Sequence, residues 1–421
     1  MKEIEILGLD QKIYTDKLDN GLEVVLIPFE TKNSYYISYT TKYGSVNLDF
    51  TLEDGKKYSS PKGIAHFLEH KMFEQENGED PFTFFSKSGT GCNAGTSYNK
   101  TSYFVWGVNN IEENLNYLLD FVNTPYFTDE NVEKEKGIII QEIKMYDDNP
   151  DWVLTEEVQK STFKNHPIRY DIAGYSETVN SITKEDLYKC YNTFYQNSNM
   201  LLVVSGKFDK DKIMKVIKNN ETLNSRTSKT EIKKIKENEP LKVNEKYREI
   251  AMPNVVTSKL AIDVKLSLKD IKNKYSYYLY ISAIISILFG SSSKFREEMY
   301  EKGLITYFST GKMIVDDFLI IEFYAETDKS EQLSKEIFKC FKNASIKEEE
   351  LERFKKVLIA SKVMNSDNVQ TLADVIIDDY ITWNEIINDK IDKIRSMNYK
   401  ELIKIKDELK LDNSATVLLH K

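Results

Sequence analysis

The sequence predicts an α+β protein made of two similar halves, and three observations carry that prediction. The chain has 421 residues, 41% hydrophobic and 30% charged, which is more than one ordinary domain and enough to fill real cores. Each half closes in the same way: Asn197 to Ser205 and Asp412 to His420 are both an Asn-Ser leading into an apolar strand. Two halves of about 210 residues with matching ends read as a duplicated unit. Between them, Asn219 to Tyr247 is rich in Lys, Glu, Asn, Ser and Thr and reads as a linker. The expected organisation is a first domain over 1–218, a linker over 219–247 and a second domain over 248–421.

Asp19-Asn20-Gly21 is a turn signal, and Leu22 to Pro28 follows as a strand stopped by proline. Ser34 to Lys42, rich in Tyr, Ile and Thr, is the next strand. The chemistry centres on the following stretch, Ser60 to Glu74. If it is helical from about Gly63, His66 and His70 stack on one face, with Glu69 about 60° round the helix. Two imidazoles and a carboxylate so placed suit a catalytic zinc site: the imidazoles hold the metal, and the carboxylate, not itself a ligand, takes a proton from water. His-x-x-Glu-His is the inverted form of the commoner His-Glu-x-x-His helix of zinc proteases. Two surface histidines one turn apart would give the same pattern. However, Ile64, Ala65, Phe67, Leu68 and Met72 make the helix apolar on most sides, so it should be buried. Buried histidines and a buried glutamate need partners, and a metal supplies one.

Phe82 to Lys87 comes next, broken at Ser88-Gly89-Thr90-Gly91; then Cys92 to Tyr98 precedes a clear strand from Thr101 to Trp106. Gly and Ala leave backbone approachable, as an edge strand requires if an extended peptide is to pair with it. A tight turn into a strand would need those glycines equally. Ile111 to Asn123 is an amphipathic helix with Leu115, Leu118, Leu119 and Val122 on one side. Thr128 to Tyr146 is a second helix of chemical interest, carrying Glu133, Glu135 and Glu142, with Asp147 at its end. Its β-branched run Ile138-Ile139-Ile140 must be held by packing. A zinc site needs a third protein ligand, and the residues alone leave Glu135, Glu142 and Asp147 level. Trp152 to Lys164 is helical, His166 beside Pro167 reads as a structural loop histidine, and Thr183 caps a helix running to Phe194.

Composition removes several function classes. A net charge of −9 argues against nucleic acid, whose footprint is a basic patch. The acidity serves solubility first, although an acidic chamber would favour basic peptides. The longest apolar run, Tyr277 to Phe289, falls short of the roughly 18 to 20 residues of a membrane span. The opening residues mix charges and have no signal-peptide core, so a cytoplasmic protein is expected. Cys92, Cys190 and Cys340 are odd in number and far apart, which excludes a disulfide framework and a Cys-x-x-Cys metal site.

Gly63 to Glu74, GIAHFLEHKMFE, resembles the active-site helix of the insulinase/pitrilysin family of zinc peptidases, in particular its two-domain bacterial members and the beta subunit of the mitochondrial processing peptidases. The resemblance implies mostly antiparallel sheets packed against helices, with a two-unit chain forming one half of a clamshell. Across Glu135 to Glu142 it implies that Glu142 is the third ligand and Glu135 a supporting residue behind it. One Zn²⁺ per chain would then be held by His66, His70 and Glu142, with Glu69 as the base. It further implies that Asn93, Ala94, Gly95 and Thr96 receive substrate backbone as an added strand.

Many members of that family carry an Arg and a Tyr seven residues apart, flanking a Gly-Leu, that bind the substrate carbonyl. Here Gly303-Leu304 is present, but Met299 stands where the Arg should be, Arg296 lies one turn earlier and Tyr307 is displaced by one residue. Either Arg296 and Tyr307 serve with shifted geometry or another chain supplies the pair. The second reading is favoured, because productive geometry tolerates little displacement. The expectation is a zinc metalloendopeptidase for short or unfolded peptides, such as leader or signal fragments, working as the metal-carrying subunit of a heterodimer. A homodimer is the alternative assembly. A catalytically silent peptide-binding subunit is the alternative function, disfavoured by the intact Glu69.

Overall fold

The computed structural model of the chain describes residues 1–9, 11–226 and 231–421; residues 227–230 of the expected linker lie outside the described residues. The chain divides into two compact units. The first comprises Met1–Lys144, Tyr170–Lys236 and Val363–Asp389, and the second comprises Met145–Arg169, Glu237–Lys362 and Lys390–Lys421. The change at 236/237 falls inside the stretch read as a linker. Two segments depart from the expected boundaries: 145–169 belongs with the second unit, and 363–389 with the first.

Among the described residues the first unit holds nine strands, β1 (Lys2–Ile6), β2 (Gln11–Lys17), β3 (Glu23–Pro28), β4 (Tyr35–Thr41), β5 (Asp49–Thr51), β6 (Lys57–Ser59), β7 (Gly91–Thr96), β8 (Thr101–Gly107) and β9 (Met200–Gly206). Seven of them form a sheet in the order β1-β2-β3-β9-β4-β8-β7, and β5 pairs with β6 separately. Only the β3–β9 pair is parallel. Every residue of β4 and β9 is buried, which a central strand requires when both sheet faces are covered. One face takes the helices α1 (Ile64–Met72), α2 (Pro81–Lys87) and α3 (Ile111–Asn123), with Leu115, Leu118, Leu119 and Val122 in the same core as Val24, Leu26, Ile37 and Tyr39. The other face takes the helix Val369–Trp383, whose Leu372, Ile376 and Ile377 pack with Val25, Ile27, Tyr36, Leu201 and Val203. At about 1.5–3 kcal/mol for each large aliphatic side chain buried, this face accounts for the membership of 363–389.

The second unit repeats the plan with fewer strands. β10 (Tyr247–Ala251), β11 (Lys259–Ser267), β12 (Tyr307–Val315), β13 (Phe318–Glu326) and β14 (Ser414–His420) form a sheet in the order β10-β14-β11-β13-β12. Only β10–β14 is parallel. Strand directions therefore match β3-β9-β4-β8-β7 one for one, and β9 and β14 are the two endings that look alike in sequence. Two further helices follow in the chain, α4 (Asp129–Asp147) and α5 (Pro150–Thr162). In the second unit Leu154 and Val158 of α5 pack with Ala261, Val417 and Leu419, the counterpart of the Val369–Trp383 helix in the first.

The span Lys274–Glu301 is long and apolar enough by composition to cross a membrane. It is two helices, Lys274–Phe289 and Lys294–Glu301, and the first rises only about 24 Å against the roughly 30 Å of a bilayer core. Ile281, Ala283, Ile284 and Ile285 are fully buried, so it is the core helix of its unit.

Candidate metal centre

α1 starts where its glycine demands. Gly63 has φ +87°, and a Cβ there would lie 2.3 Å from the Ala173 carbonyl oxygen; a Cβ on Gly174 would lie 2.5 Å from the Lys62 oxygen. The 173–174 loop thus presses backbone to backbone on the helix start, which a larger residue would prevent. Ala65, Phe67, Leu68 and Met72 are buried and fix the helix rotation. His66 and His70 are presented together as a result, with ring centroids 4.5 Å apart.

α4 brings the carboxylates. His66 Nε2 lies 3.8 Å from Glu142 Oε1, and His70 Nε2 lies 3.7 Å from Glu142 Oε2. One ligand atom from each of the three residues falls within 4.8 Å of the others. These separations exceed hydrogen-bond length, so the carboxylate is not spent on the imidazoles. Ligands at about 2.0–2.1 Å in a tetrahedral arrangement sit roughly 3.3–3.5 Å apart, close to what is seen. The donor set of two imidazole nitrogens and one carboxylate is that of a catalytic zinc site with an open position. Glu135, two turns earlier on the same helix, does different work: its Oε1 receives His70 Nδ1 at 3.0 Å. A carboxylate on the far nitrogen of a ligating histidine fixes its tautomer and ring orientation. The two glutamates that are equivalent in the sequence are thus separated by which imidazole nitrogen each meets.

The electrostatics follow from burial and neighbours. Burial, with the adjacent His70 charge, pushes His66 down to about 3, so its imidazole is neutral and has a lone pair to give. Its Nδ1 is buried with no hydrogen-bond partner among the described residues. His70 is pulled down by burial, but the bond to Glu135 and the charges of Glu69, Glu135 and Glu142 together raise it. Burial likewise works against the charged form of Glu135, yet the His70 bond and the His70 and Lys71 charges bring it below the usual range.

Glu69 is held separately. Its Oε2 accepts a hydrogen bond from Thr96 Oγ1 at 2.7 Å. Burial raises its pKa, and the Thr96 bond opposes the rise. Thr96 ends β7, the terminal strand of its sheet, which among the described residues pairs only with β8. Asn93, Ala94, Gly95 and Thr96 therefore lie on a strand whose other edge is unpaired among the described residues, and the last of them touches Glu69. The hydroxyl of Thr96 was not foreseen, since the sequence argument used only its backbone. Lys71 was missed as well. It is fully buried and contacts both Glu74 and Glu135; a lysine among Leu68, Met72 and Phe67 was the available signal.

The remaining candidates sit elsewhere. Arg296 lies half-buried on the Lys294–Glu301 helix of the second unit, with its guanidinium 5.9 Å from the Tyr300 ring. Met299, where the family's Arg is expected, is 1% exposed in the core of that unit. Tyr307 begins β12 and is 51% exposed, lining a 440 Å³ recess with Lys259, Ser309, Tyr324 and Glu326. His166 is the structural histidine expected, its Nδ1 accepting from the Ile168 N–H at 3.1 Å and its Nε2 lying 3.2 Å from Asp316.

Comparison with known proteins agrees with this geometry. The family described as Insulinase (Peptidase family M16) matches residues 40–175, and the Peptidase M16 inactive domain matches residues 181–358. The uncharacterized zinc protease YmfH of Bacillus subtilis is 40% identical over 374 residues, 87% of each chain. The beta subunit of the mitochondrial-processing peptidase of Caenorhabditis elegans is 28% identical over 171 residues, 39% of this chain and 37% of that one. The crystal structure of an M16-like peptidase from Alicyclobacillus acidocaldarius superposes with a TM-score of 0.91 at 31% identity, covering 99% of this chain and 100% of that one. With the inverted histidine motif, the duplicated α+β unit and these relatives in hand, the chain belongs to the insulinase family of zinc peptidases, peptidase family M16.

Proposed function

We propose that this chain is a zinc endopeptidase for short or unfolded peptides, leader or signal fragments among them, and the metal-carrying subunit of a heterodimeric chamber in the cytoplasm. The observation that carries the catalytic part is the meeting of His66, His70 and Glu142 beside a separately held Glu69. A zinc ion held by His66, His70 and Glu142 would supply Lewis acidity to polarise the scissile carbonyl and acidify water.

The chain's own residues supply the rest. An extended peptide pairs with the free edge of β7 along Asn93 to Thr96, adding a strand antiparallel or parallel to it. β7 ends at Thr96, whose bond to Glu69 supports a peptide backbone running past that carboxylate. Glu69 takes a proton from the attacking water and returns it to the leaving amine, a role favoured by a carboxyl whose pKa burial raises. Glu135 keeps His70 oriented throughout.

The heterodimer rests on Met299. A buried apolar side chain stands where the family's carbonyl-binding Arg is expected, so a related chain with the Arg/Tyr pair completes the site. Cleavage of a peptide pool is compared for the chain alone and for the chain coexpressed with such a partner. Activity only in the mixture is expected; full activity from a pure homodimer would overturn the pairing and assign the task to Arg296 and Tyr307.

A further inference from the structure

Lys71 is 0% exposed, and a buried ammonium needs compensating charge, since leaving it unpaired costs several kcal/mol. It meets two carboxylates: Glu74, in a very short contact, and Glu135 Oε2, at 3.7 Å. The pair with Glu74 alone does not explain its burial. The Glu74 side chain lies past the end of α1 and is 40% exposed, so the pair could form at the surface. Glu135, at 13% exposure, is the partner that shares the buried position.

The geometry around Glu135 then becomes informative. Its Oε1 receives His70 Nδ1 at 3.0 Å, and its Oε2 faces Lys71 Nζ. Residues 70 and 71, consecutive in the chain, thus hold the two oxygens of one carboxylate. The carboxylates of Glu69, Glu135 and Glu142 all act on His70. Among the described residues, Lys71 is the only Lys or Arg ion-paired with any of them. We propose that Lys71 is a positioning residue, which fixes the Glu135 carboxylate so that Oε1 stays on His70 Nδ1 and His70 Nε2 stays turned toward Glu142. The inference rests on the zinc-site reading above and adds to it a further residue, acting through Glu135.

The test is zinc affinity, measured by chelator competition on the full-length chain stripped of metal. Wild type, K71M, K71R, E135Q and the double variant K71M/E135Q are compared, with circular dichroism confirming the fold; K71Q replaces K71M throughout if the apolar variant does not fold. Removing an outer partner of a metal ligand typically weakens binding 10–100-fold, so K71M is expected to lose about tenfold and K71R to stay within about threefold of wild type. Because Lys71 acts through Glu135, K71M should cost nothing further in the E135Q background, giving a strongly non-additive cycle. Wild-type affinity in K71M, or losses that multiply in the double variant, would overturn the inference while leaving the zinc site intact. A wild-type chain that takes up no zinc would overturn the site reading and this inference together.

Discussion

Thr96→Val separates the base from its anchor without touching a metal ligand. Thr96 Oγ1 donates to Glu69 Oε2 at 2.7 Å, a short bond to a group that burial already disfavours as an anion. Valine keeps the β-branched shape that β7 requires and removes only the hydroxyl. A hydrogen bond to a charged group is worth about 1.5–3 kcal/mol. If its loss falls wholly on the step in which Glu69 moves a proton, the rate drops by between about tenfold and about a hundredfold. The effect should appear in kcat with KM little changed, since the proposed peptide pairing uses the backbone of β7 and not this hydroxyl. Thr96→Ser, which keeps the donor, should remain within about threefold of wild type, as a retained hydrogen bond implies. The assay is steady-state cleavage of a fluorogenic peptide by whichever preparation is active, the chain alone or with its proposed partner, with zinc content measured on the same samples. Wild-type kcat in Thr96→Val, or loss of zinc from it, would refute the reasoning, because either result means that Thr96 does not act on Glu69 alone.

Three further outcomes are expected. Glu142→Gln should bind zinc far more weakly than wild type, at a cost of well over tenfold by equilibrium dialysis, since it removes the one anionic ligand; unchanged uptake would remove Glu142 from the site. Gly63→Ala should destabilise the first unit by about 1–2 kcal/mol for the left-handed backbone alone and more for the contact with Ala173, read as a lowered melting temperature; an unchanged melt would mean that the 173–174 loop yields. Asp263→Asn tests a buried carboxyl in the second unit, where burial first and the Glu322 charge across the strand pair second hold its pKa well above the usual range. A group whose pKa is raised on folding stabilises fully below its unfolded pKa and loses that contribution as pH rises toward the folded value. The asparagine variant should therefore gain on wild type as urea unfolding is moved from pH 5 to pH 8, and a gap that does not change with pH would contradict the assignment.

What the sequence made legible was periodic or local. His66, Glu69 and His70 declared themselves because a 3.6-residue period places them together whatever the rest of the fold does. The ranges expected for β4, β8, α3 and α4 came within a residue or two of those found, since each is a run of strand or helix formers with a turn residue at its end. Choosing Glu142 over Glu135 needed the family resemblance, because both share a face of α4 and only the position of the histidine rings tells them apart. β1 and β2 are hard to read from sequence: the alternation of β1 is confined to Ile4 and Ile6 among charged residues, β2 has none that is sustained, and the two are held by their pairing at the sheet edge. The exchanged helices were invisible for a different reason. The apolar stripe of Val369–Trp383 says that it must be buried but not against which sheet, and the sheet it meets lies more than 160 residues earlier in the chain. Lys71 escaped because a lysine in a helix is ordinarily a solvated one.

The central claim is that His66, His70 and Glu142 hold zinc while Glu69 works beside them. Zinc content and peptide cleavage are measured together on wild type and Glu69→Gln, using whichever preparation is active, the chain alone or with its proposed partner. The account predicts about one zinc per chain in both, as expected for a base that is not a ligand, with cleavage abolished in the variant alone. Cleavage that survives in Glu69→Gln, or zinc lost along with the carboxylate, would contradict it.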